Sequence, residues 1–353
     1  MRGRDSGSIG EARPQPRPPF VARLAFVGLV KVFSISGGVV NRTWNISRMM
    51  AFQRCPSYFN WRYREDIEPL SQNTKAVDFG TAIHKGLETW YAPSGWAKKH
   101  QPGPPTLNDE AALEAFLGAL PDDHDEGVKE TESGGYGLVL LRRYFEHYRE
   151  MDEESIVRVI GLEREMIGKV GSNELVARLD MIVEMKDVAA GLWHMQHKTL
   201  SAYSSLEDYV RSQQLSLHER AYKIVAGQND LPLKGTLLNV LRKLVVPTIT
   251  RTVNKVKVKE QAKDLSDWMP FHRERLGIGP ALMGRFAADW HVLIKQVSEC
   301  ERLDTWPQNP QSCVHYNQLC PYYQLCMGHP LEREEWKQRE EDYVDQREEE
   351  TRR

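Results

Sequence analysis

The residues best suited to chemistry lie between Glu174 and Thr199. The segment reads Glu-Leu-Val-Ala-Arg-Leu-Asp180, then a turn, then Trp-His-Met-Gln196-His-Lys198-Thr199. Strand alternation predicts Leu175, Ala177, Leu179, Met181 and Val183 on one face. It puts Val176, Arg178, Asp180 and Ile182 on the other. Gln196 and Lys198 are two apart and share a face of the next strand. If the strands pair as a hairpin, Asp180, Gln196 and Lys198 converge. Cleaving a phosphodiester needs a hard divalent cation, an activated water and a positive group near the transition state. Mg²⁺ takes oxygen ligands and keeps several waters, so one or two side chains suffice to hold it. Lys198 would supply the positive group. Gln196 is the unusual member, because an amide oxygen can bind a cation but cannot offset its charge.

Two helices should bring further groups. His84 and Glu88 are four apart and lie on one helical face. His84 could ligate metal, with Glu88 supporting it through a hydrogen bond. Gln214 and His218 are again four apart and could reach the substrate. Taken singly, His84 is an ordinary helix histidine, Asp180 a turn or salt-bridge residue and Lys198 a solvated strand residue. Their weight lies in the set.

The elements that must carry these residues follow from periodicity and punctuation. A short helix over 48–54 is capped by Ser47, and a second helix covers 82–91. Helices follow over 109–120 and 137–151, with an acidic linker at 122–132. Strands are expected over 155–168, 174–185 and 192–199, with a Gly-Ser-Asn turn at Gly171. A helix covers 206–226 and a strand 234–243. A long helix over 282–301 leads into a cysteine-rich end. This order predicts an α/β core with helical surroundings.

The 353 residues, 41% hydrophobic and 27% charged, suit a soluble globular chain with a substantial core. A net charge of −2 gives no global sign of nucleic-acid binding, although a local basic cleft needs none. Residues 1–40 read as an extension, disordered over 1–19. Residues 20–35 read as a strand, a leader or an incorrectly placed start. The apolar run there is broken by Arg23 and Lys31 and is too short to span a membrane. Residues 331–353 read as a charged tail, a solvated helix or disordered chain. A cytoplasmic location is expected. There is no Gly-x4-Gly-Lys-Ser/Thr motif for an ATP motor, so any helicase would be a separate partner.

The ordered set Gly80-Thr-Ala-Ile-His84-Lys-Gly-Leu-Glu88, Leu179-Asp180, Gln196-His-Lys198-Thr199 and Gln213-Gln214-Leu-Ser-Leu resembles the RecB-like branch of the PD-(D/E)XK nucleases. The likeness is greatest to phage-type and CRISPR-associated RecB-like exonucleases and covers about residues 45–326. It implies a restriction-endonuclease-like core at 41–330. It implies Mg²⁺ or Mn²⁺ ligation by His84, Asp180 and the Gln196 position, catalysis by Lys198 and support from Gln214. Its substrate would be DNA, as single strands or ends, in repair, recombination or phage DNA processing. Two departures stand out. Gln196 replaces the acidic residue, and His218 replaces the tyrosine of the Gln motif, with Tyr222 one turn on. A carboxylate from another strand, such as Glu163, would compensate for Gln196. The competing reading is a nuclease-fold DNA-binding or scaffold protein whose cutting has decayed.

Four of the five cysteines fall late: Cys300, Cys313, Cys320 and Cys326, with Cys55 far upstream. In a reducing compartment such clusters more often bind metal than pair as disulfides. Their residue types alone leave an iron–sulfur cluster, Zn²⁺ (with His315 or His329) and plain packing open. The resemblance implies a [4Fe–4S] cluster on Cys55, Cys313, Cys320 and Cys326, as in AddB-like nucleases. Arginines 42, 48, 54, 62, 64 and 242, Lys243 and the run 251–259 are candidate phosphate contacts. Tyr58, Phe59, Trp61 and Tyr63 are candidate base-stacking residues, or core.

Overall fold

The computed structural model describes residues 43–70, 75–120, 133–186, 190–200, 206–214, 216–242, 248–253, 256–261, 270–315, 318–331 and 335–338. The chain divides into Met1–Val40 and Asn41–Arg353. The first unit lies outside the described residues, and with it the strand or leader expected at 20–35. The acidic linker at 122–132 and residues 339–353 of the tail lie outside them too.

Strand β1 (Thr43–Asn45) enters helix α1 (Ile46–Arg54). Asn45, not Ser47, caps this helix. Its extended backbone lets Oδ1 accept the Arg48 N–H at 2.7 Å, satisfying an orphan donor of the first turn. Cys55-Pro56 then interrupts the helix. A short α2 (Pro56–Phe59), a π-helical turn (Asn60–Arg64) and β2 (Ile67–Pro69) follow. Helices α3 (Lys75–Tyr91), α4 (Trp96–Lys99), α5 (Asp109–Gly118) and α6 (Ser133–Ser155) precede the sheet.

The sheet opens with three antiparallel strands, β3 (Ile156–Val170), β4 (Asn173–Met185) and β5 (Gly191–Leu200). Helices α7 (Leu206–Gln214) and α8 (Leu217–Gln228) cross to β6 (Leu233–Arg242), which lies parallel to β5. The single helix expected over 206–226 is therefore two. Ser216 starts the second by accepting the His218 N–H at 3.1 Å. A hairpin, β7 (Thr248–Val253) and β8 (Val256–Gln261), precedes β9 (Phe271–Leu276), which pairs antiparallel with β6. Then come α9 (Pro280–Leu303), β10 (Val314–His315), β11 (Gln318–Leu319), α10 (Tyr323–Cys326) and β12 (Trp336–Gln338). Strand β12 pairs with β2, so this part of the expected tail is strand, not helix. No helix among the described residues is long and apolar enough to cross a membrane.

The result is an α/β fold with a mixed six-stranded sheet. One buried cluster joins α3, α5 and α6 to the sheet through Leu87, Trp90, Phe116 and Tyr144. A second joins α1, α8 and α9 to it through Met49, Ala221, Phe286 and Trp290. Helices therefore cover both faces, as a largely buried sheet requires.

Strand β4 has an uneven neighbourhood. Strand β3 pairs along its whole length. On its other edge, β1 pairs only with Glu174–Val176 and β5 only with Met181–Met185. Residues 177–180 have no ladder on that edge. The strict alternation predicted through Asp180 also fails. Leu175, Ala177 and Leu179 pack into the second cluster, whereas Met181 and Val183 pack into the first. The cause lies in β3, which carries two register shifts and a left-handed Glu163 (φ 44°) opposite this point.

Candidate metal centre

Helix α3 brings His84 to this break in the sheet. Its approach depends on Gly80, where a Cβ would stand 3.2 Å from Thr199 Oγ1 on β5. His84 Nδ1 lies 3.7 Å from Asp180 Oδ2 and 4.0 Å from Glu163 Oε1. These three are the only trio of His, Cys, Asp or Glu among the described residues whose ligand atoms all lie within 4.8 Å of one another. Two carboxylates and an imidazole suit Mg²⁺ or Mn²⁺. Asp180 is fixed by the absent ladder: its Oδ2 accepts the His197 main-chain N–H at 2.9 Å. Glu163 is held through Oε2 by Arg178 Nε at 2.8 Å.

The charges of the trio suit a bound cation. Burial pushes the Glu163 carboxyl up to about 7, and repulsion from Asp180 adds to it. Burial also raises Asp180, but His84, Lys198, His194 and His197 pull it below the usual carboxylate range. Burial lowers the His84 imidazole despite Asp180, favouring the neutral, ligating form. His84 and Glu163 line an open cleft of about 520 Å³, with Gly80, Lys85, Glu88, Arg178 and Thr199. Glu88 does not take its expected role. Its carboxylate pairs with Lys85 at 2.8 Å, and His84 bonds the His197 backbone instead.

Gln196 is buried and Lys198 half-buried. The Gln196 amide is assigned with its oxygen toward Lys198 Nζ (3.3 Å) and its nitrogen toward Glu219 Oε1 (2.7 Å); the reverse would set like against like. Sequence reasoning missed Glu219, Arg178 and the His197 amide. Glu219 follows His218 in α8 with nothing in its spacing to mark it. His218 and Tyr222 stack at 6.0 Å beside His194, whose ring meets Tyr222 at 4.7 Å. Gln214 ends α7, but its side chain lies outside the described residues.

The family profile described as the PD-(D/E)XK nuclease superfamily matches residues 43–327. The chain belongs to the PD-(D/E)XK nuclease superfamily. Its mixed sheet between helices is the restriction-endonuclease-like fold of that superfamily. One similar solved structure is a protein from Eubacterium rectale called a "Putative exonuclease". It is 9% identical, with 86% of this chain and 91% of that chain covered and a TM-score of 0.46, too low to bear on function. No curated protein matches the chain.

This PD-(D/E)XK chain also brings its early and late cysteines together. Cys55, Cys313, Cys320 and Cys326 are free thiols lining one cavity of about 240 Å³, with Tyr58, Tyr322 and Tyr323. The Asn309 N–H donates to Cys55 Sγ at 3.4 Å, and the Cys320 N–H to the Cys313 carbonyl at 2.7 Å. Cys300 packs against the second core cluster and does not line the cavity. A tetrahedral Zn²⁺ with Zn–S bonds of about 2.3 Å needs sulfurs roughly 3.8 Å apart. No three of these thiols gather within 4.8 Å, so as built they do not form a single-ion site. Tyr58 and Phe59, candidates for base stacking, are packing residues: Tyr58 meets Tyr322 at 5.2 Å, and Phe59 is buried against Phe52 and Trp306.

Proposed function

We propose that this chain is a Mg²⁺- or Mn²⁺-dependent deoxyribonuclease of the RecB-like branch, an exonuclease acting on single strands or DNA ends. The observation that carries the reading is the His84–Glu163–Asp180 trio, of which His84 and Glu163 open onto a cleft with Arg178, while Lys198 acts electrostatically on His84 and Asp180. When bound, the cation supplies Lewis acidity and an activated water. His84, Glu163 and Asp180 hold it. The His197 amide keeps the Asp180 oxygen in place, and Arg178 does the same for Glu163. Lys198 offsets the charge that develops on the phosphoryl oxygens. Lys85, in the cleft wall, faces the incoming backbone. Cytoplasmic DNA repair, recombination or phage DNA processing, with a separate helicase, is the setting that fits such an enzyme.

A structural [4Fe–4S] cluster on Cys55, Cys313, Cys320 and Cys326 is a second part of the proposal. They share one cavity, yet their sulfurs are too widely set for one zinc ion. Iron and sulfide analysis after anaerobic purification tests this. A colourless protein containing stoichiometric zinc would overturn it.

Gln196 motivates the competing reading of a binding protein with decayed activity. Digestion of 5′- and 3′-labelled single and double strands with Mn²⁺ separates the two. The nuclease reading expects cleavage by the wild type and its loss in Lys198→Ala. Equal inertness of both, with the cysteine site loaded, would favour the binding protein.

A further inference from the structure

The side chain of Glu219 is almost wholly buried, yet neither arginine nor lysine forms a salt bridge with it among the described residues. Such a carboxylate is costly unless hydrogen bonds satisfy it. Two do. The Thr236 hydroxyl donates to Oε2, and the Gln196 amide donates to Oε1 at 2.7 Å. The other end of the same amide accepts from Lys198 Nζ at 3.3 Å. Glu219, Gln196 and Lys198 therefore form a line, acid to amide to ammonium, running from α8 into the candidate centre. The amide dipole points its N–H at the carboxylate and its C=O at the ammonium. That is the orientation in which hydrogen bonds polarise and strengthen one another.

We propose that Glu219 is a positioning residue that supplies, through Gln196, the carboxylate that strand β5 lacks, and thereby orients Lys198. The proposal rests on the nuclease reading above for its catalytic consequence, but the relay itself does not. Gln196 is then a connector rather than a defective ligand. A carboxylate at position 196 would meet Glu219 head on, and the two could not both ionise. The single change Gln196→Glu therefore gains little while Glu219 is present. Moving the charge requires both changes.

The test uses the full-length protein loaded with Mn²⁺ and compares wild type, Glu219→Gln, and the exchange Gln196→Glu with Glu219→Gln. Steady-state cleavage of labelled single-stranded DNA gives kcat and KM. Acylation of Lys198 by a water-soluble amine reagent, followed by peptide mass spectrometry, gives a readout independent of cleavage. Glu219→Gln should lower kcat by at least about tenfold with KM changed less than about threefold. It should also speed Lys198 acylation at pH 8, where the wild-type Glu219, pushed by burial up to about 7, is ionised and serves as the distant counter-charge of the ammonium. The exchange should return both quantities most of the way to wild type. An unchanged kcat and labelling rate in Glu219→Gln, or an exchange no better than the single change at equal melting temperature, would overturn the proposal. If Glu219→Gln does not fold, Glu219→Asp, which shortens the reach, and the exchange carry the same comparison. A wild type inert on DNA but with Glu219-dependent Lys198 labelling would sink the nuclease reading and leave the relay standing.

Discussion

Asp180 and His197 are joined across two strands, the carboxylate Oδ2 accepting the His197 main-chain N–H at 2.9 Å. One side chain thus both completes the sheet and faces the candidate metal position. Two substitutions separate these duties. Asp180→Asn keeps an oxygen for the His197 amide and removes the charge. It should retain the melting temperature within a few degrees while cleavage falls by at least about a hundredfold. Asp180→Leu also orphans the amide and should cost a further 1–3 kcal/mol or about that in stability, read by urea denaturation. Equal stability of the two variants would show that the cross-strand bond contributes nothing.

Glu163 should matter to binding before it matters to chemistry. Glu163→Gln removes one of two charges from the trio and should weaken Mn²⁺ binding by roughly 10–100-fold, measured by electron paramagnetic resonance of free Mn²⁺. Unaltered binding would assign Glu163 to the Arg178 pair alone.

The metal-free protein should have an unusual acid profile. Burial pushes His194 down to about 4, His197 to about 3 and His218 to about 4. Unfolded imidazoles titrate near 6.5, so the stability these three contribute is full above about 6.5 and lost as pH falls toward 4. Glu163 and Glu219 are pushed by burial up to about 7. Their contribution has the opposite sign: it is full below about 4.5, the unfolded value, and lost as pH rises to 7. The two sets oppose each other between pH 6.5 and 4.5. Three imidazoles against two carboxyls leave about one net proton, so denaturant midpoints in EDTA should fall gently there and more steeply below about 4.5. A steady steep fall starting at pH 6.5 would show that the glutamates are not held protonated.

Behind the site, the Arg273 side chain is largely enclosed. It contacts Asp152 at 2.5 Å and the Tyr144 hydroxyl at 2.8 Å, and Asn239 links Tyr144 to His197 Nδ1 at 2.9 Å. Arg273→Met leaves the buried Asp152 carboxylate without its charge partner, with the Tyr91 hydroxyl still donating to it at 2.6 Å, and should cost about 3–5 kcal/mol. Arg273→Met combined with Asp152→Leu should recover much of that, as an equilibrium urea titration would show.

The cysteines divide cleanly. Cys326→Ser should lose bound iron, whereas Cys300→Ser should keep it, because Cys300 packs in the core away from the thiol cavity. Iron analysis after anaerobic purification reads both. Equal iron in the two variants would remove the cluster assignment.

The elements that position the site were largely legible. Apolar spacing located β3 to β6 within a few residues, because each buries a regular face, whereas α3 starts at Lys75, seven residues before the expected 82. Lys198, Asp180 and His84 could be named because a chemical requirement selected them. Glu163 could only be offered as one example among the strand carboxylates. Its convergence with Asp180 depends on a left-handed residue and register shifts that no hydrophobic pattern encodes. Glu219 was invisible for a different reason. A glutamate in the first turn of a helix is ordinary, and only the packing of α8 onto β5 and β6 shows that it is buried. Glu88 failed because helical spacing puts Lys85 as near to it as His84.

The shared edge of β4 has a mechanical consequence. With β1 gripping one end of this edge and β5 the other, residues 177–180 are a seam bridged only by the β3–β4 pair. Shear across the sheet would concentrate there, and a small rotation about the seam would change the spacing of the groups on either side without unzipping a ladder. The candidate metal centre thus sits beside the interrupted edge of β4.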